Sequence, residues 1–148
     1  MLGAVEARTL DELPGWAHGL IDEQRVGRLG LIDDQDRPRV LPVTYALEGG
    51  SIWSAIDRKP KRAGEPARLR YLRRRPEAAL TVDCYSDDWE ELAWVQVLGR
   101  IALLDIGAAP AALAALAARY PPYREAPPPG PLLQLTPGRL LYWRAAPL

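Results

Sequence analysis

The hydrophobic residues first recur at a helical period and then at a strand period. In the N-terminal segment they fall on one helical face, at Leu13, Trp16 and Leu20. Thr9 and Glu12 have the spacing of a capping box, so we expect a helix from about Leu10 to Gln24. After Val26 the period becomes two, which is typical of strands.

The alternation is clearest in the segment RVLPVTYAL. One face of this predicted strand carries Leu41, Val43, Tyr45 and Leu47, and the other carries Pro42, Thr44 and Ala46. Glu48-Gly-Gly50 predicts a tight hairpin connection to a partner strand, SIWSAID. EAALTVDCY and AWVQVLGRIALLD read as further strands, and the C-terminal segment, PLLQLT with GRLLYWRA, as one or two more.

Two helices and a connector complete the predicted order of elements. Glu65 to Arg75 predicts a helix with Leu69 and Leu72 inward and its arginines outward, and Pro110 begins an alanine-rich helix. The proline-rich YPPYREAPPPGP predicts an extended, polyproline-like connector. Strands outnumber helices and follow one another through tight turns. This order favours one domain, residues 1–148, with an antiparallel sheet or small barrel and helices on its margins.

Composition excludes several classes of protein. The chain has 148 residues with a formal net charge of zero, so no overall field attracts it to nucleic acid or to a membrane. One cysteine, Cys84, rules out an internal disulfide, and with the one histidine, His18, it is too little for a typical zinc site. No apolar run has the length of a membrane span and the N-terminus lacks the order of a signal peptide, so we expect a cytoplasmic protein.

Positive charge is concentrated where a strand ends. The stretch from Arg58 to Arg75 contains nine of the 19 basic residues and one acid, Glu65. At its start, within the segment AIDRKPKR of residues 55–62, four cations come directly after the predicted strand SIWSAID: Arg58, Lys59, Lys61 and Arg62. Converging lysine and arginine side chains suit a phosphate group. An ordinary solvated loop has the same composition, and the residues alone leave both interpretations open.

Small residues on two neighbouring predicted strands suggest a shelf for a flat ring. Thr44 and Ser54 bring hydroxyl groups, with Ala46 and Ala55 close by. The alternative is that these small side chains merely accommodate a crossing helix. Trp89 lies among acids in a turn and Trp94 on the less apolar strand face, positions typical of an interface or ring-binding site as well as of scattered packing residues.

No motif for a catalytic side chain is present. The acidic residues show no pairing pattern, and the chain contains no GxSxG, Walker or GxGxxG sequence. We therefore predict no catalytic side chain and no metal ligand, and we assign any chemistry to a bound cofactor.

The order of these segments resembles a known superfamily. Residues from about Val26 to Tyr123 are similar to the pyridoxamine 5'-phosphate oxidase-like split β-barrel proteins, most of all to the branch of F-420-dependent oxidoreductases. The likeness rests on PVTYAL, DRKPKR and DDWEELAWVQVLGR together. It implies a mainly β fold, an antiparallel split β-barrel of six to seven strands with flanking helices, assembled as a homodimer with a cofactor at each of two interface sites.

The resemblance also implies which residues hold the cofactor, either FMN or coenzyme F-420. Val43 and Thr44 would contact its ring, and Ser54 and Ala55 would line the next strand. Lys59, Lys61 and Arg62 would hold its phosphate, while Trp89 and Trp94 would come from the partner subunit.

The expected activity is hydride transfer between this cofactor and a small conjugated acceptor. Residues specific to true pyridoxamine phosphate oxidases are not recognisable, so vitamin synthesis is not expected. Two alternatives stay open at this point: a non-catalytic flavin or deazaflavin carrier with the same fold, and a nucleic-acid module built on the basic helix.

Overall fold

A computed structural model of the chain describes residues 3–56 and 65–145. Within these ranges lie eight strands: β1 Val5–Ala7, β2 Gly27–Ile32, β3 Pro38–Val43, β4 Ala46–Glu48, β5 Ser51–Ala55, β6 Glu77–Cys84, β7 Ala93–Leu104 and β8 Leu132–Arg144. Four α-helices lie in the same ranges: α1 Gly15–Glu23, α2 Ala67–Arg74, α3 Pro110–Arg119 and α4 Pro121–Glu125. Short 3-10 turns occur at Leu10–Glu12, Trp89–Glu91 and Ile106–Ala108.

The strands form one antiparallel sheet that curls into a split barrel. Its order is β3-β2-β6-β7-β8-β5-β4, and β1 adds to β8 beside this path. The terminal strands β3 and β4 are consecutive in the chain and are joined by Thr44 and Tyr45 alone. Because two residues bridge the ends of a seven-strand path, the sheet must curve until those ends almost meet. The mainly β, split-barrel prediction is confirmed.

The strand count exceeds the expected six to seven for two reasons. RVLPVTYAL is not one strand, because its ladder ends at Val43 and resumes with a different partner at Ala46. β1 is also an addition, since three residues pairing with Leu140–Tyr142 carry too little alternation to be recognised. The prediction that Leu41, Val43, Tyr45 and Leu47 share one face is nevertheless correct: Val43 and Tyr45 are buried, and Leu41 and Leu47 pack against the same core.

The N-terminal helix is shorter than expected. A 3-10 turn occupies Leu10–Glu12, and the α-helix begins at Gly15, after Pro14. Thr9 makes no side-chain cap, while the Glu12 carboxylate accepts the backbone N–H of Arg8 at 2.8 Å. The predicted capping box between Thr9 and Glu12 is therefore wrong, because Glu12 binds the backbone of Arg8 and the Thr9 side chain caps nothing.

The proline-rich connector is also only partly extended. Pro121 and Pro122 open the short helix α4, where missing N–H groups leave no helical hydrogen bond unmade. Ala126–Pro131 is the irregular part. The helix matters for the site because it turns Tyr123 inward, and Tyr123 is buried.

Two apolar clusters hold the fold together. The larger fills the barrel and receives the inner faces of β2, β6, β7 and β8 with Leu69 and Leu72 of α2. The smaller lies between α3, α4 and the outer side of β4 and β5, and includes Ala46, Trp53, Ala55, Leu116, Tyr120, Tyr123 and Leu132. The joint between β3 and β4 lies between these clusters and is covered from both sides.

Gly99 marks the sharpest irregularity of the sheet. Leu98 pairs with Arg139 while Gly99 pairs with Pro137, so Gly138 is the extra residue of a bulge in β8. A Cβ atom on Gly99 would lie 2.0 Å from the carbonyl oxygen of Thr136. The close passage of β8 over β7 therefore requires glycine at this position.

Candidate functional site

The β3–β4 joint brings the two predicted hydroxyl residues together. The Ser54 hydroxyl donates to the carbonyl oxygen of Thr44 at 2.7 Å. The Thr44 hydroxyl and the Tyr123 hydroxyl lie 3.0 Å apart and share a hydrogen bond. The hydroxyl group of Thr44 is thus engaged from α4, and that of Ser54 from the neighbouring strand.

The Tyr120 hydroxyl binds the backbone N–H and C=O groups of Tyr45, a residue of the joint that belongs to neither strand. It accepts the N–H of Tyr45 at 3.0 Å and lies 2.8 Å from the Tyr45 carbonyl oxygen. The Tyr45 hydroxyl donates to the carbonyl oxygens of Ile21, at 2.6 Å, and Gln24. Burial raises the pKa of Tyr45 above its ordinary value of 10.0, so it remains a protonated donor. The joint is a rigid structural feature.

The four residues expected to hold the ring meet here, but three of them, Val43, Ser54 and Ala55, are buried, and Thr44 is half-buried. Val43 and Ser54 line a small cavity of about 20 Å³ inside the barrel, together with Leu29, Tyr45, Ile52, Leu80, Ile101, Leu133 and Leu135. Ala55 belongs to the cluster beneath α3. A ring placed at this joint would therefore contact the backbone of β3 and not these side chains.

A larger groove lies at the other end of β3, and sequence reasoning missed it. It encloses about 280 Å³ between β3 and the first turn of α2. Its lining combines two arginines, Arg39 and Arg68, with an aromatic ring and apolar groups: Tyr71, Leu31, Val40, Leu41, Pro66 and Ala67. Arg39 lies on the same face of β3 as Leu41 and Val43. A cation on an otherwise apolar strand face was the feature of the sequence that could have indicated this groove.

Most arginines of the basic helix are engaged in ion pairs. Arg70 contacts Asp34 at 2.9 Å, Arg74 and Arg75 contact Asp36 at 2.8 and 3.0 Å, and Arg73 contacts Glu65. Arg68 makes no such pair with any described residue. Of the helical cations counted in favour of a phosphate, Arg68 is therefore the one that faces the groove.

The remaining predicted site residues are not brought to this groove. Lys59, Lys61 and Arg62 lie outside the described residues, so their assignment stays a prediction. Trp89 is 68% exposed on the β6–β7 connection. Trp94 is half-buried on the outer face of β7, opposite Trp143. Neither Trp89 nor Trp94 lines the groove or the cavity, and their assignment to a partner's cofactor stays a prediction.

A family model described as pyridoxamine 5'-phosphate oxidase matches residues 16–134. The chain belongs to the pyridoxamine 5'-phosphate oxidase-like family. The match extends from α1 to the start of β8 and thus includes the split joint and the groove.

Solved structures with the same split-barrel fold agree with this family assignment. A conserved hypothetical protein from Mycobacterium tuberculosis has a TM-score of 0.71 at 18% identity, over 86% of this chain and 81% of its own. A FAD-binding protein from Mesorhizobium loti has a TM-score of 0.68 at 19% identity, over 96% and 97%. The heme storage protein HutZ from Vibrio cholerae has a TM-score of 0.68 at 12% identity, over 85% and 92%. At these identities the likeness concerns the fold.

Among curated proteins, none matches the chain by sequence. No helix within the described ranges is both long and apolar enough to span a bilayer.

Proposed function

We propose that this member of the family is an oxidoreductase that binds a flavin-type cofactor, FMN or coenzyme F-420, along β3. The observation that carries the proposal is the groove at the start of β3, where Arg39 and Arg68 face a partly apolar, aromatic-lined cleft. This composition suits a molecule with an anionic end and a flat, weakly polar body. Lys59, Lys61 and Arg62, which follow β5 in the chain, are proposed as further phosphate contacts.

The residues present fit the anionic end of such a cofactor. Arginine offers a planar fork for phosphate oxygens, and the groove has one from each wall. Its volume of about 280 Å³ is near the lower end of the roughly 300–1,000 Å³ of ligand pockets. The groove therefore holds part of the cofactor, and the rest extends along β3.

The ring is proposed to lie toward Val43 and Thr44. From Arg39 to Val43 the strand rises about 13 Å, at about 3.3 Å per residue. Because β3 ends the sheet path, alternate N–H and C=O groups point away from β2 and are available to a ligand. Ser54 and Ala55 support this backbone from behind, through the bond to Thr44 and the packing under α3.

When bound, the cofactor supplies hydride transfer to a small conjugated acceptor. The chain orients the ring on a backbone that Tyr120, between α3 and α4, and Tyr123 of α4 hold in place, and β3 excludes water from one side of the ring. No side chain of the chain acts as a nucleophile in this scheme.

A second copy of the chain is proposed to complete the site. The outer face of β7 and β8 carries half-exposed apolar side chains, Trp94, Leu98 and Leu141, with the 68% exposed Trp89 at its end. Burying this face in a homodimer removes apolar surface from water and brings the two tryptophans toward a partner's cofactor.

A specific observation favours a flavin over a heme. Heme iron is held by an axial side chain, most often histidine. The one histidine of the chain, His18, lies on α1 and contacts Asp22 at 3.2 Å. It lines neither the cavity nor the groove.

Reconstitution tests the proposal. Purified protein would be titrated with FMN, coenzyme F-420 and hemin, and we expect micromolar or tighter binding of one of the first two, with a perturbed visible band. Turnover of quinones and enones by the reduced complex is the expected activity. Binding without turnover would instead support the alternative of a flavin or deazaflavin carrier. Absence of binding to both FMN and F-420 would refute both roles.

A further inference from the structure

The groove is formed by two walls that do not share a strand or a helix. Arg39 is on β3, and Arg68 is on the first turn of α2. The distance between these guanidinium groups depends on how α2 sits against the sheet. A chelating pair of arginines binds an anion well only when that distance is held constant.

The apolar attachment of α2 is narrow. The helix is eight residues long, about 12 Å, and buries two side chains, Leu69 and Leu72. These residues are three apart and lie on one line along the helix. The partly buried Tyr71 adds one contact with the core beside this line. So narrow an attachment resists a roll of the helix only weakly, and a roll would move Arg68 toward or away from Arg39.

The turn between β2 and β3 supplies the missing restraint. Arg70 donates through Nε to one Asp34 carboxylate oxygen at 3.0 Å, and its Nη2 lies 2.9 Å from the same oxygen in an ion pair. Arg74 binds both the Asp36 carboxylate, at 2.8 Å, and the Asp33 carbonyl oxygen, at 3.0 Å. Arg70 and Arg74 are four residues apart and so share a helix face that is not the buried one, and their contacts with the turn oppose rotation of the helix.

This turn is itself rigid. The buried Asp33 carboxylate accepts the backbone N–H groups of Gln35, at 2.9 Å, and Arg37, at 3.0 Å. Asp36 has a left-handed φ of 58°, a conformation that aspartate and asparagine tolerate. Asp33 also lies 3.8 Å from Arg39 on the opposite groove wall. One turn thus contacts both walls of the groove.

We propose that Asp34 and Asp36 are positioning residues, which fix α2 so that Arg68 and Arg39 face one anion. The proposal rests on the proposed function for the identity of that anion, the phosphate end of the cofactor. The other four arginines at α2 then have a structural role, because each forms an ion pair with a carboxylate of the chain: Arg70, Arg73, Arg74 and Arg75.

The test is the double variant Asp34→Asn/Asp36→Asn. Asparagine preserves size and the left-handed conformation at residue 36 but removes both charges. The pairs are exposed, so the melting temperature should fall by only a few degrees. Hydrogen exchange of the α2 amides, measured without ligand, should become faster, while exchange in β6 and β7 stays unchanged. FMN or F-420 should bind about tenfold more weakly.

The sign of the binding change separates positioning from simple electrostatics. The variant removes two negative charges beside the groove, which by Coulomb interaction alone would strengthen anion binding at low salt. The control Glu6→Gln/Asp11→Asn makes the same change in net charge on residues that do not line the groove, and should leave cofactor affinity and α2 exchange unchanged.

Unchanged α2 exchange in the double variant, or tighter cofactor binding, would overturn the positioning role. Failure of the wild-type protein to bind FMN and F-420 would refute the proposed function and the cofactor assignment. The exchange measurement would still decide whether the turn holds the helix.

Discussion

Arg25 and Arg119 cap each other's helices: Arg119, the last residue of α3, binds the C-terminal end of α1, and Arg25, which follows α1, binds the C-terminal end of α3. The Arg119 guanidinium donates to the carbonyl oxygens of Asp22 and Gln24 at the end of α1. The Arg25 guanidinium donates to the carbonyl oxygen of Arg119 at the end of α3, at 3.0 Å. Two sets of C-terminal carbonyl groups are thereby satisfied by cations, the sign that a helix C-terminus favours.

We expect Arg119→Met to destabilise the protein by about 1.5–3 kcal/mol, since two charge-assisted bonds to carbonyl groups are lost, one of them to the half-buried Gln24 carbonyl oxygen. Methionine retains the aliphatic part of the side chain, but it also removes the guanidinium group, whose central carbon lies 5.0 Å from the centre of the Tyr45 ring, and this loss is included in the expected range. Urea unfolding measures the change. Arg8→Met, at an exposed position, is the control and should stay within about 0.5 kcal/mol; equal values for the two variants would contradict the reciprocal cap.

Gly99→Ala should destabilise the barrel by more than about 3 kcal/mol, because the new methyl group would meet the Thr136 backbone and force β7 and β8 apart. Thermal unfolding followed by circular dichroism measures the loss. Gly107→Ala is the matched control, since a Cβ atom there meets nothing within 4 Å. A melting temperature within a few degrees of wild type for Gly99→Ala would show that the bulge tolerates a side chain.

The fold was predictable where one face of a strand is buried along its whole length. In β7 the alternation of Val95, Val97 and Ile101 with Trp94 and Gln96 determines which residues face the core, and the structure agrees. Such a pattern is local, so it is readable from neighbouring residues alone. The interruption between β3 and β4 is not local, because it depends on Tyr120 replacing a strand partner for Tyr45.

The site was predictable only in part for the same reason. Thr44 and Ser54 were recognised as neighbours because a tight turn joins their strands. The groove escaped prediction because Arg39 and Arg68 are 29 positions apart and meet through the packing of α2. The charge of the basic helix was likewise overinterpreted, since the acids that pair with it belong to the β2–β3 turn.

Tyr45 should make stability depend on pH in alkaline solution. Its pKa is raised in the folded state by burial, so the folded protein retains the proton that the unfolded chain releases above its ordinary pKa of 10.0. The stabilisation that Tyr45 gives through this difference in pKa is fully present below pH 10. As the pH rises further, the free energy of unfolding falls by about 1.4 kcal/mol per pH unit. Urea unfolding between pH 8 and 11 checks this. In Tyr45→Phe the decline should be shallower by that slope; parallel curves would show that Tyr45 is not responsible.

Arg68→Gln should weaken binding of FMN or F-420 by about 1–3 kcal/mol, the range for one charge-assisted contact. The sequence-based assignment predicts a loss of the same size for Lys61→Ala. Fluorescence titration measures both. Arg100→Gln, which removes an exposed cation outside the groove, is the control and should not change affinity. Wild-type affinity in Arg68→Gln would exclude the groove as the anion site.

Leu98→Glu should convert the proposed homodimer into a monomer, because a carboxylate would be desolvated in an apolar interface. Sedimentation velocity measures the assembly state. Val5→Glu introduces the same group on β1, where the side chain is already 52% exposed, and should leave the assembly unchanged. A monomeric wild-type protein, or a dimer that survives Leu98→Glu, would exclude this face as the interface.

The position of β8 has a consequence for synthesis of the chain on the ribosome. β5 pairs with β4 and β8, and β8 is the last strand to emerge. Until then the β4–β5 hairpin is made but has no sheet to join, whereas β2, β3, β6 and β7 can already associate. Between the synthesis of β7, which ends at Leu104, and that of β8, which begins at Leu132, the nascent protein therefore consists of two separate pieces, and β8 unites them.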